Sequence, residues 1–163
     1  MDVIGYVAEE VERQGHDVYT LDGIERVGWM LNAWTSALRW SKTADAPSLE
    51  EAIRLGKMVE PRKNWTAPRS VGVCVGNRIC PPPQEVQQLL ERLWELKDSM
   101  SPLEFYKEFE LVHPFVDGNG RTGKILLNWK NGTLLNPVFP PHDLFGEPIL
   151  NPRKQRISER VKE

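Results

Sequence analysis

Twelve consecutive residues, from His113 to Lys124, are the part of this sequence whose residue types best suit catalysis. They read His-Pro-Phe-Val-Asp-Gly-Asn-Gly-Arg-Thr-Gly-Lys, which combines an imidazole, a carboxylate, a glycine-flanked turn and two cations. Pro114 disfavours helical geometry at the residue before it, so a helix through Phe105 to Val112 should end at His113. The histidine then faces a loop, and its ordinary pKa near neutrality suits a general base.

The glycines on either side of Asn119 predict an anion-binding turn. Gly118 and Gly120 can both adopt positive φ, which lets successive backbone N–H groups converge on one anion. A helix beginning near Gly120 adds its positive dipole end, which favours a phosphate. Arg121 and Lys124 are three residues apart, so both cations are expected to lie over the same polyphosphate.

Asp117 does not suit a phosphate site by itself, because a carboxylate repels phosphate unless a divalent cation lies between them. The sequence therefore predicts magnesium held by Asp117. The simpler alternative for the whole stretch is a structural corner between two helices, with a glycine-rich turn and a capped histidine. His-Pro-Phe or Gly-Asn-Gly alone would favour that corner, whereas the full combination favours a site.

The segment from Gly118 to Lys124 also spells G-x-x-x-x-G-K, the start of a P-loop. Ile125 follows in place of the Ser or Thr that a P-loop uses to bind magnesium. A P-loop also follows a strand, whereas apolar residues before this turn recur at helical spacing. We therefore favour a turn between two helices.

The twelve residues resemble the signature of the Fic family, His-x-Phe-x-Asp/Glu-Gly-Asn-Gly-Arg-x-x-Arg, and differ from it only at the last specified position. The resemblance implies an enzyme that transfers AMP from ATP to a hydroxyl of a target protein. It implies that His113 deprotonates this hydroxyl and that Asp117 holds magnesium. It also implies that Gly118 to Gly120 hold the α-phosphate and that Arg121 binds the phosphates beyond it.

Lys124 stands where the family usually has a second arginine. Lysine keeps the charge but lacks the guanidinium fork, which leaves the orientation of the γ-phosphate open. Diverged relatives of the Doc toxin type also differ at this end of the motif and transfer phosphate instead, but they lose glycines that this chain keeps. Two alternatives to AMP transfer therefore remain: a Doc-like phosphotransferase, and a degenerate domain that binds a partner or nucleotide without turnover.

A short β-hairpin is predicted over residues 70–80. Valines alternate with small residues before Gly76-Asn77, a pair that suits a two-residue turn. In the Fic family a hairpin flap in this place, before a proline-rich stretch, pairs with the target backbone beside the modified residue. A connecting hairpin without a substrate role is the alternative. The target-docking residues implied by the resemblance are Val73, Cys74, Val75 and Gly76.

The other elements are predicted as helices that position the motif. Apolar residues recur at helical spacing from Ile4, Ile24 and Val86, and capping-box patterns start helices at Ser48 and Ser101. The predicted fold class is all-α: a Fic-type helical domain with a small β-hairpin flap. Its parts are an N-terminal helix or extension (1–20), a Fic-like core (21–135) with the motif at 113–124, and a C-terminal proline-rich segment with a short basic helix (136–163).

Several polar residues receive no chemical role from the sequence. Arg62, Lys63 and Arg69 lie in a proline-containing loop over residues 61–70 and are expected to be solvated, with contact to a partner as the alternative. His16 and His142 are isolated from other residues that suit catalysis. Cys74 and Cys80 are too few for a disulfide scaffold and are expected to be free thiols.

The composition suits one globular domain, with 163 residues of which 40% are hydrophobic and 27% charged. A net charge of −2 gives no general attraction to nucleic acid or acidic membranes, so neither is expected as a partner. The sequence shows no signal peptide and no apolar run of membrane-spanning length, so a cytoplasmic location is expected. The expected partner is a protein substrate with a Ser, Thr or Tyr hydroxyl.

Many Fic family members are restrained by a helix carrying Ser/Thr-x-x-x-Glu-Gly/Asn, whose glutamate pairs with the arginine that matches Lys124. This string does not occur in the sequence. Restraint by an inhibitory partner chain, absence of restraint, and a weakening effect of Lys124 itself therefore all remain open.

Overall fold

The computed structural model describes residues 1–145, which form six α-helices and one two-stranded hairpin. The helices are α1 (Val3–Arg13), α2 (Leu21–Trp40), α3 (Leu49–Val59), α4 (Pro83–Leu96), α5 (Pro102–Val112) and α6 (Asn119–Asn131). The strands are β1 (Cys74–Val75) and β2 (Arg78–Ile79), and a short 3-10 helix, Lys97–Ser99, follows α4. None of these helices combines the length and apolarity needed to cross a membrane. The basic helix expected after Asn151 lies outside the described residues.

α6 lies at the centre of the bundle. Every residue from Arg121 to Trp129 is buried, and the helix packs against α5, α3 and α2. A helix that is enclosed on all sides has a fixed position relative to its neighbours. The turn that precedes α6 is therefore held in place by the core.

Capping residues determine where the helices around this turn begin. Ser48 and Glu51 form a reciprocal capping box at the start of α3, and Ser101 and Glu104 form another at α5. Both boxes were predicted from the sequence, and both satisfy backbone N–H groups that have no partner within the helix. α5 therefore begins at a defined residue, and its last turn ends directly before His113.

α1 belongs to the same core as the other helices, but its inward face differs from the predicted one. Ile4 was expected to face inward with Val7, and it is 67% exposed. Tyr6 is fully buried instead, and its ring stacks on Phe139 with the ring centroids 4.0 Å apart. This orientation also brings Glu10 into the interior, where its side chain is fully buried.

The start of α2 is set by Thr20, whose hydroxyl accepts a hydrogen bond from the Gly23 N–H at 3.2 Å. Gly23 is required there because a Cβ would lie 1.9 Å from the carbonyl oxygen of Asp17. With this start, Arg26 is turned into the protein and buried.

The hairpin is shorter than the alternating valines predicted. Its two strands contain two residues each and pair antiparallel, with Cys74 opposite Ile79 and Val75 opposite Arg78. Gly76 has a φ of +58°, which suits a tight turn. Because a hairpin of this length is not stable by itself, contacts with the helices must hold it in place.

The two cysteines are free thiols, as expected. Cys74 is exposed on β1, whereas Cys80 is buried directly after β2. Burial raises the pKa of the Cys80 thiol, because removing water disfavours the thiolate.

Candidate active site

The turn between α5 and α6 contains a strained backbone at His113. α5 ends at Val112, as predicted from Pro114, and His113 adopts a left-handed conformation with φ 52° and ψ 63°. This conformation costs an L-residue roughly 1–2 kcal/mol relative to ordinary backbone. Such strain persists only where the surroundings impose it, and it is concentrated at functional sites.

Only one of the two glycines beside Asn119 uses positive φ. Gly118 has a φ of +76° and caps α6, whereas Gly120 already lies in the first helical turn. Both positions are crowded: a Cβ would lie 2.9 Å from the Val59 side chain at Gly118 and 2.8 Å from the Gln14 side chain at Gly120. The N-terminal end of α6, with its positive dipole, therefore lies at the turn as the sequence predicts.

Asn119 and Phe115 hold the turn together from inside. The Asn119 side chain accepts a hydrogen bond from the Phe115 N–H and donates one to the Phe115 carbonyl, both at 2.9 Å. Both residues are almost completely buried. The Asn119 side chain, which the sequence assigns to the nucleotide, is thus engaged within the turn itself.

The Phe115 ring packs directly on α3 at Gly56, where a Cβ would lie only 2.1 Å from the ring. We expect Gly56→Ala to destabilise the domain by about 1–3 kcal/mol, because the ring must move to admit a methyl group. Gly28→Ala in α2 is the matched control, since nothing lies within 4 Å of its Cβ position and alanine favours a helix by about 1 kcal/mol over glycine. Denaturant unfolding measures both, and equal stability of the two variants would contradict the proposed contact.

His113 is half-buried and its imidazole is neutral at pH 7. The pKa of His113 is lowered from 6.5 to about 4, mainly by burial; the charges of Arg78 and Arg69 also act to lower it, whereas the Glu110 carbonyl and Asp117 act to raise it. Its Nδ1 is buried and forms no hydrogen bond with any described residue. A neutral imidazole has a nitrogen lone pair that can accept a proton, as a general base requires.

The lowered pKa of His113 predicts a pH dependence of stability. The unfolded chain takes up a proton near pH 6.5 and the folded chain only near pH 4, so the contribution of His113 is fully present above pH 6.5 and is lost as the pH falls to about 4. Denaturant unfolding of the wild-type chain and of His113→Asn at pH 7 and pH 4.5 tests this. The wild-type chain should lose more stability than the variant, and equal losses would contradict the lowered pKa.

Asp117 and Arg121 belong to an ion-pair network around Glu60, the residue that caps the C-terminus of α3. Arg121 is 1% exposed, and its guanidinium lies 3.2 Å from Glu60 Oε1 and 3.4 Å from Asp117 Oδ1. Lys63 Nζ lies 2.8 Å from Asp117 Oδ2, and Arg26 donates a hydrogen bond to Glu60 Oε1 at 2.6 Å. Burial acts to raise the pKa of Asp117, but Lys63 and Arg121 outweigh it and the pKa is lowered.

Three side chains next to this network form a donor set suited to a divalent cation. Ligand atoms of His16, Glu60 and Asp117 all lie within 4.8 Å of one another. Glu60 is fully buried, and its Oε2 accepts no hydrogen bond from any described residue. Burial and the charge of Arg26 lower the pKa of His16, which favours the neutral form that binds metals. Carboxylate oxygens with one imidazole suit a divalent cation beside Asp117.

Lys124 has partners different from those of Arg121. Its Nζ lies 2.8 Å from Glu10 Oε1 and 3.4 Å from the Tyr106 hydroxyl, and the residue is 8% exposed. Burial acts to lower the pKa of Lys124, but Glu10, with Tyr106 and Glu110, outweighs it and raises the pKa. The two cations expected over one polyphosphate are thus each paired with a carboxylate, from Glu60 and from Glu10.

The pairing of Glu10 with Lys124 was missed by the sequence analysis. In the family string Ser/Thr-x-x-x-Glu-Gly/Asn, Tyr6 would take the first place here and Val11 the last, so only the glutamate matches. The Gln14 side chain donates a hydrogen bond to Glu10 Oε1 at 2.7 Å. The signal that could have identified Glu10 is a carboxylate on the inward face of an amphipathic helix.

Glu110 is another carboxylate near Lys124 that the sequence analysis did not identify. Burial raises the pKa of Glu110 to about 7, although Lys124 opposes this. Gly123 makes room for its carboxylate, since a Cβ there would lie 2.5 Å from Glu110 Oε1. Glu110 is three residues before His113, on the last turn of α5.

The flap lies beside the end of α5. A pocket of about 520 Å³ lies beside their contact, and it is lined by Val75, Gly76, Asn77, Arg78, Glu110, Leu111 and Phe145. Among the described residues the sheet contains only β1 and β2, so each strand has one edge without a strand partner in this part of the chain. Of the predicted docking residues, Val75 and Gly76 therefore lie beside the last turn of α5.

The model of the Fic/DOC family matches residues 46–130. Among curated relatives, "Protein adenylyltransferase Fic" of Drosophila persimilis is 36% identical over 93 residues, which cover 52% of this chain and 16% of the relative. The protein of the same name from Nematostella vectensis is 32% identical over 82 residues, covering 45% of this chain and 18% of the relative. The match thus spans less than a fifth of either relative.

Solved structures of Fic proteins share this fold. IbpAFic2 covalently tethered to Cdc42 has a TM-score of 0.64 at 15% identity, over 85% of this chain and 50% of that chain. A Fic family protein from Desulfovibrio desulfuricans G20 has a TM-score of 0.59 at 20% identity, over 77% and 46%. Fic-1 from C. elegans has a TM-score of 0.56 at 20% identity, over 98% and 55%. These comparisons confirm the predicted helical Fic fold.

Proposed function

Because this chain belongs to the Fic/DOC family, we propose that it transfers AMP from ATP to a Ser, Thr or Tyr hydroxyl of a target protein. The observation that carries the proposal is a neutral imidazole on the turn that leads into the N-terminus of α6. Relatives named protein adenylyltransferases support ATP as the substrate. A structural neighbour that was solved tethered to Cdc42 supports a protein as the acceptor.

In the proposed reaction, His113 removes the proton from the target hydroxyl. The hydroxyl oxygen then forms a bond to the α-phosphorus, and the bond from that phosphorus to the oxygen leading to the β-phosphate breaks. Pyrophosphate leaves and AMP stays on the target. The protein contributes mainly by positioning the groups and by stabilising the charge that develops on the phosphate.

The phosphates are proposed to bind at the N-terminus of α6. Backbone N–H groups from Gly118 to Gly120 would face the α-phosphate, since the first N–H groups of a helix have no partner within it. Arg121 Nε is buried and donates to no described residue, which leaves one donor for a phosphate oxygen. Lys124 would bind a phosphate beyond the α-phosphate, after its ion pair with Glu10 has broken.

Asp117 is proposed to hold magnesium, with His16 and Glu60 as neighbouring donors. When bound, the ion would neutralise charge on the phosphates. The salt bridge between Lys63 and Asp117 must then break, which costs little free energy because both side chains are partly exposed. We expect Asp117→Asn to weaken magnesium binding in the presence of ATP by about tenfold or more, measured by titration calorimetry. Unchanged binding would contradict this assignment.

The reaction class is tested with ATP labelled at either the α- or the γ-phosphate, added with the protein to a cell extract. AMP transfer predicts that only the α-label stays on protein. Retention of the γ-label would instead indicate a Doc-like phosphotransferase, the alternative function that Lys124 leaves open. Glu10→Gln, in which Lys124 loses its charged partner, is assayed in parallel. If neither label is retained and ATP does not bind, the domain is a binding module without turnover.

A further inference from the structure

Two arginines, Arg69 and Arg78, complete the C-terminal end of α5. Together they donate to four consecutive carbonyls, those of residues 110–113. Arg69 donates to His113 O at 2.7 Å and Val112 O at 3.4 Å, and Arg78 donates to Leu111 O at 3.3 Å and Glu110 O at 3.4 Å. The last carbonyls of a helix have no partner within it and carry the negative end of its dipole. The guanidinium groups therefore satisfy both the hydrogen bonds and the charge of this helix end.

Arg69 also holds both ends of the flap. Its guanidinium donates to the carbonyls of Val71 at 3.0 Å and of Pro81 at 2.7 Å, which lie before β1 and after β2. Its own backbone N–H donates to the Pro114 carbonyl at 2.9 Å. The expectation that Arg69 is solvated is wrong, since the residue is 2% exposed. Its acceptors are backbone carbonyls, which no side-chain pattern reveals.

Within residues 1–145 neither arginine lies within 4.0 Å of a carboxylate oxygen, although the charge of Arg78 acts to lower the pKa of Glu110. Burying a charge without a counter-charge is costly unless hydrogen bonds replace the lost water. Here carbonyl groups of the flap ends and of α5 accept the hydrogen bonds that water would otherwise accept. The two arginines therefore connect the flap to the C-terminal end of α5, which solvated arginines would not do.

We propose that Arg69 and Arg78 are positioning residues that fix the flap to the helix end carrying His113. This inference rests on the proposed function, in which the flap holds the target backbone and His113 receives the proton of the target hydroxyl. Both guanidinium charges also favour the neutral imidazole, against the opposing influence of Asp117 and the Glu110 carbonyl. The two arginines thus fix the position of the base relative to the flap and add to the effect of burial, which is the main reason that the imidazole is neutral.

Arg78 is the residue to change first, because it is half-buried and lies on the flap. Arg78→Gln removes the charge and the fork, whereas Arg78→Lys keeps the charge and removes the fork. Arg62→Gln is the matched control, since Arg62 is 65% exposed and pairs with Glu25. Two measurements apply to each variant: hydrogen exchange of flap amides, such as the Cys80 N–H that bonds to Val73, and NMR titration of the His113 ring.

We expect both Arg78 variants to speed exchange of the flap amides about tenfold, since two hydrogen bonds to the helix end are lost. Only Arg78→Gln should raise the pKa of His113, because lysine keeps the positive charge. A role limited to packing would not separate the two variants in this way. Arg69→Lys should also speed exchange in the flap, and Arg62→Gln should change neither quantity.

Unchanged flap exchange in both Arg78 variants would overturn the proposal. Faster hydrogen exchange throughout the domain in Arg78→Gln would overturn it as well. Arg78 would then stabilise the whole fold and would have no specific role in positioning the flap. Neither measurement requires ATP or a target protein. Their outcome is therefore independent of whether the domain transfers AMP.

Discussion

His113→Asn is expected to lower the rate of AMP transfer by about 10²–10⁴-fold, the usual contribution of a general base. Asparagine has no basic nitrogen at neutral pH, so the target hydroxyl keeps its proton. Asparagine is chosen because His113 has a φ of 52°, a conformation that asparagine adopts more readily than alanine. The measurement is the initial rate at which α-labelled ATP modifies protein.

The control for this substitution is His142→Asn, since His142 is exposed and has no proposed role. ATP affinity and thermal stability at pH 7 should be similar in the wild-type chain and both variants, because the proposed contacts with ATP do not involve His113. Labelling by His113→Asn at the wild-type rate would remove the observation on which the proposed function depends.

Glu10→Gln is expected to raise the rate of AMP transfer by about tenfold or more, since Lys124 no longer has a carboxylate that competes with phosphate. Glu10 Oε1 lies 2.8 Å from Lys124 Nζ, and Glu10 is fully buried. In the Fic family a glutamate paired at this place restrains the enzyme, and in this chain Glu10 of α1 forms the pair. A faster rate in Glu10→Gln would indicate restraint from within the chain, without the partner chain considered from the sequence.

The same substitution should reduce stability in the absence of ATP. Removing one partner of a buried ion pair costs about 3–5 kcal/mol, because the remaining charge is left without compensation. The phosphates of ATP can supply that compensation, so ATP should raise the melting temperature of Glu10→Gln more than that of the wild-type chain.

Glu9→Gln is the matched control, as Glu9 is the neighbouring residue on α1 and forms a partly exposed pair with Arg13. It should change neither the rate nor the response to ATP. If Glu10→Gln is folded and labels protein no faster than Glu9→Gln, then α1 does not restrain the site.

Local sequence patterns predicted the elements that surround the site. The capping boxes at Ser48 and Ser101, the helix end at His113 and the turn at Gly76 are all present in the structure. Each depends on residues within a few positions of one another, because capping, proline restriction and positive φ act over one turn of the chain. The helical fold and the location of the flap were predictable for this reason.

The face that a helix turns inward was harder to predict where polar residues are buried. Ile4 and Ile24 were expected in the core and are 67% and 55% exposed, whereas Glu10 and Arg26 are buried. Hydrophobic periodicity assigns a charged residue to the solvent side. It fails where the charge has a partner on another helix, as Glu10 has in Lys124 and Arg26 has in Glu60.

The sequence by itself determined the motif, its placement between two helices and the hairpin before it. Only the tertiary structure decided which charges meet there: Glu60 with Arg121, Glu10 with Lys124, and Arg69 with the backbone around His113. These partners are distant in the chain and are selected by burial, which makes an unpaired charge too costly to keep. A pattern within one segment cannot specify a partner that only packing brings near.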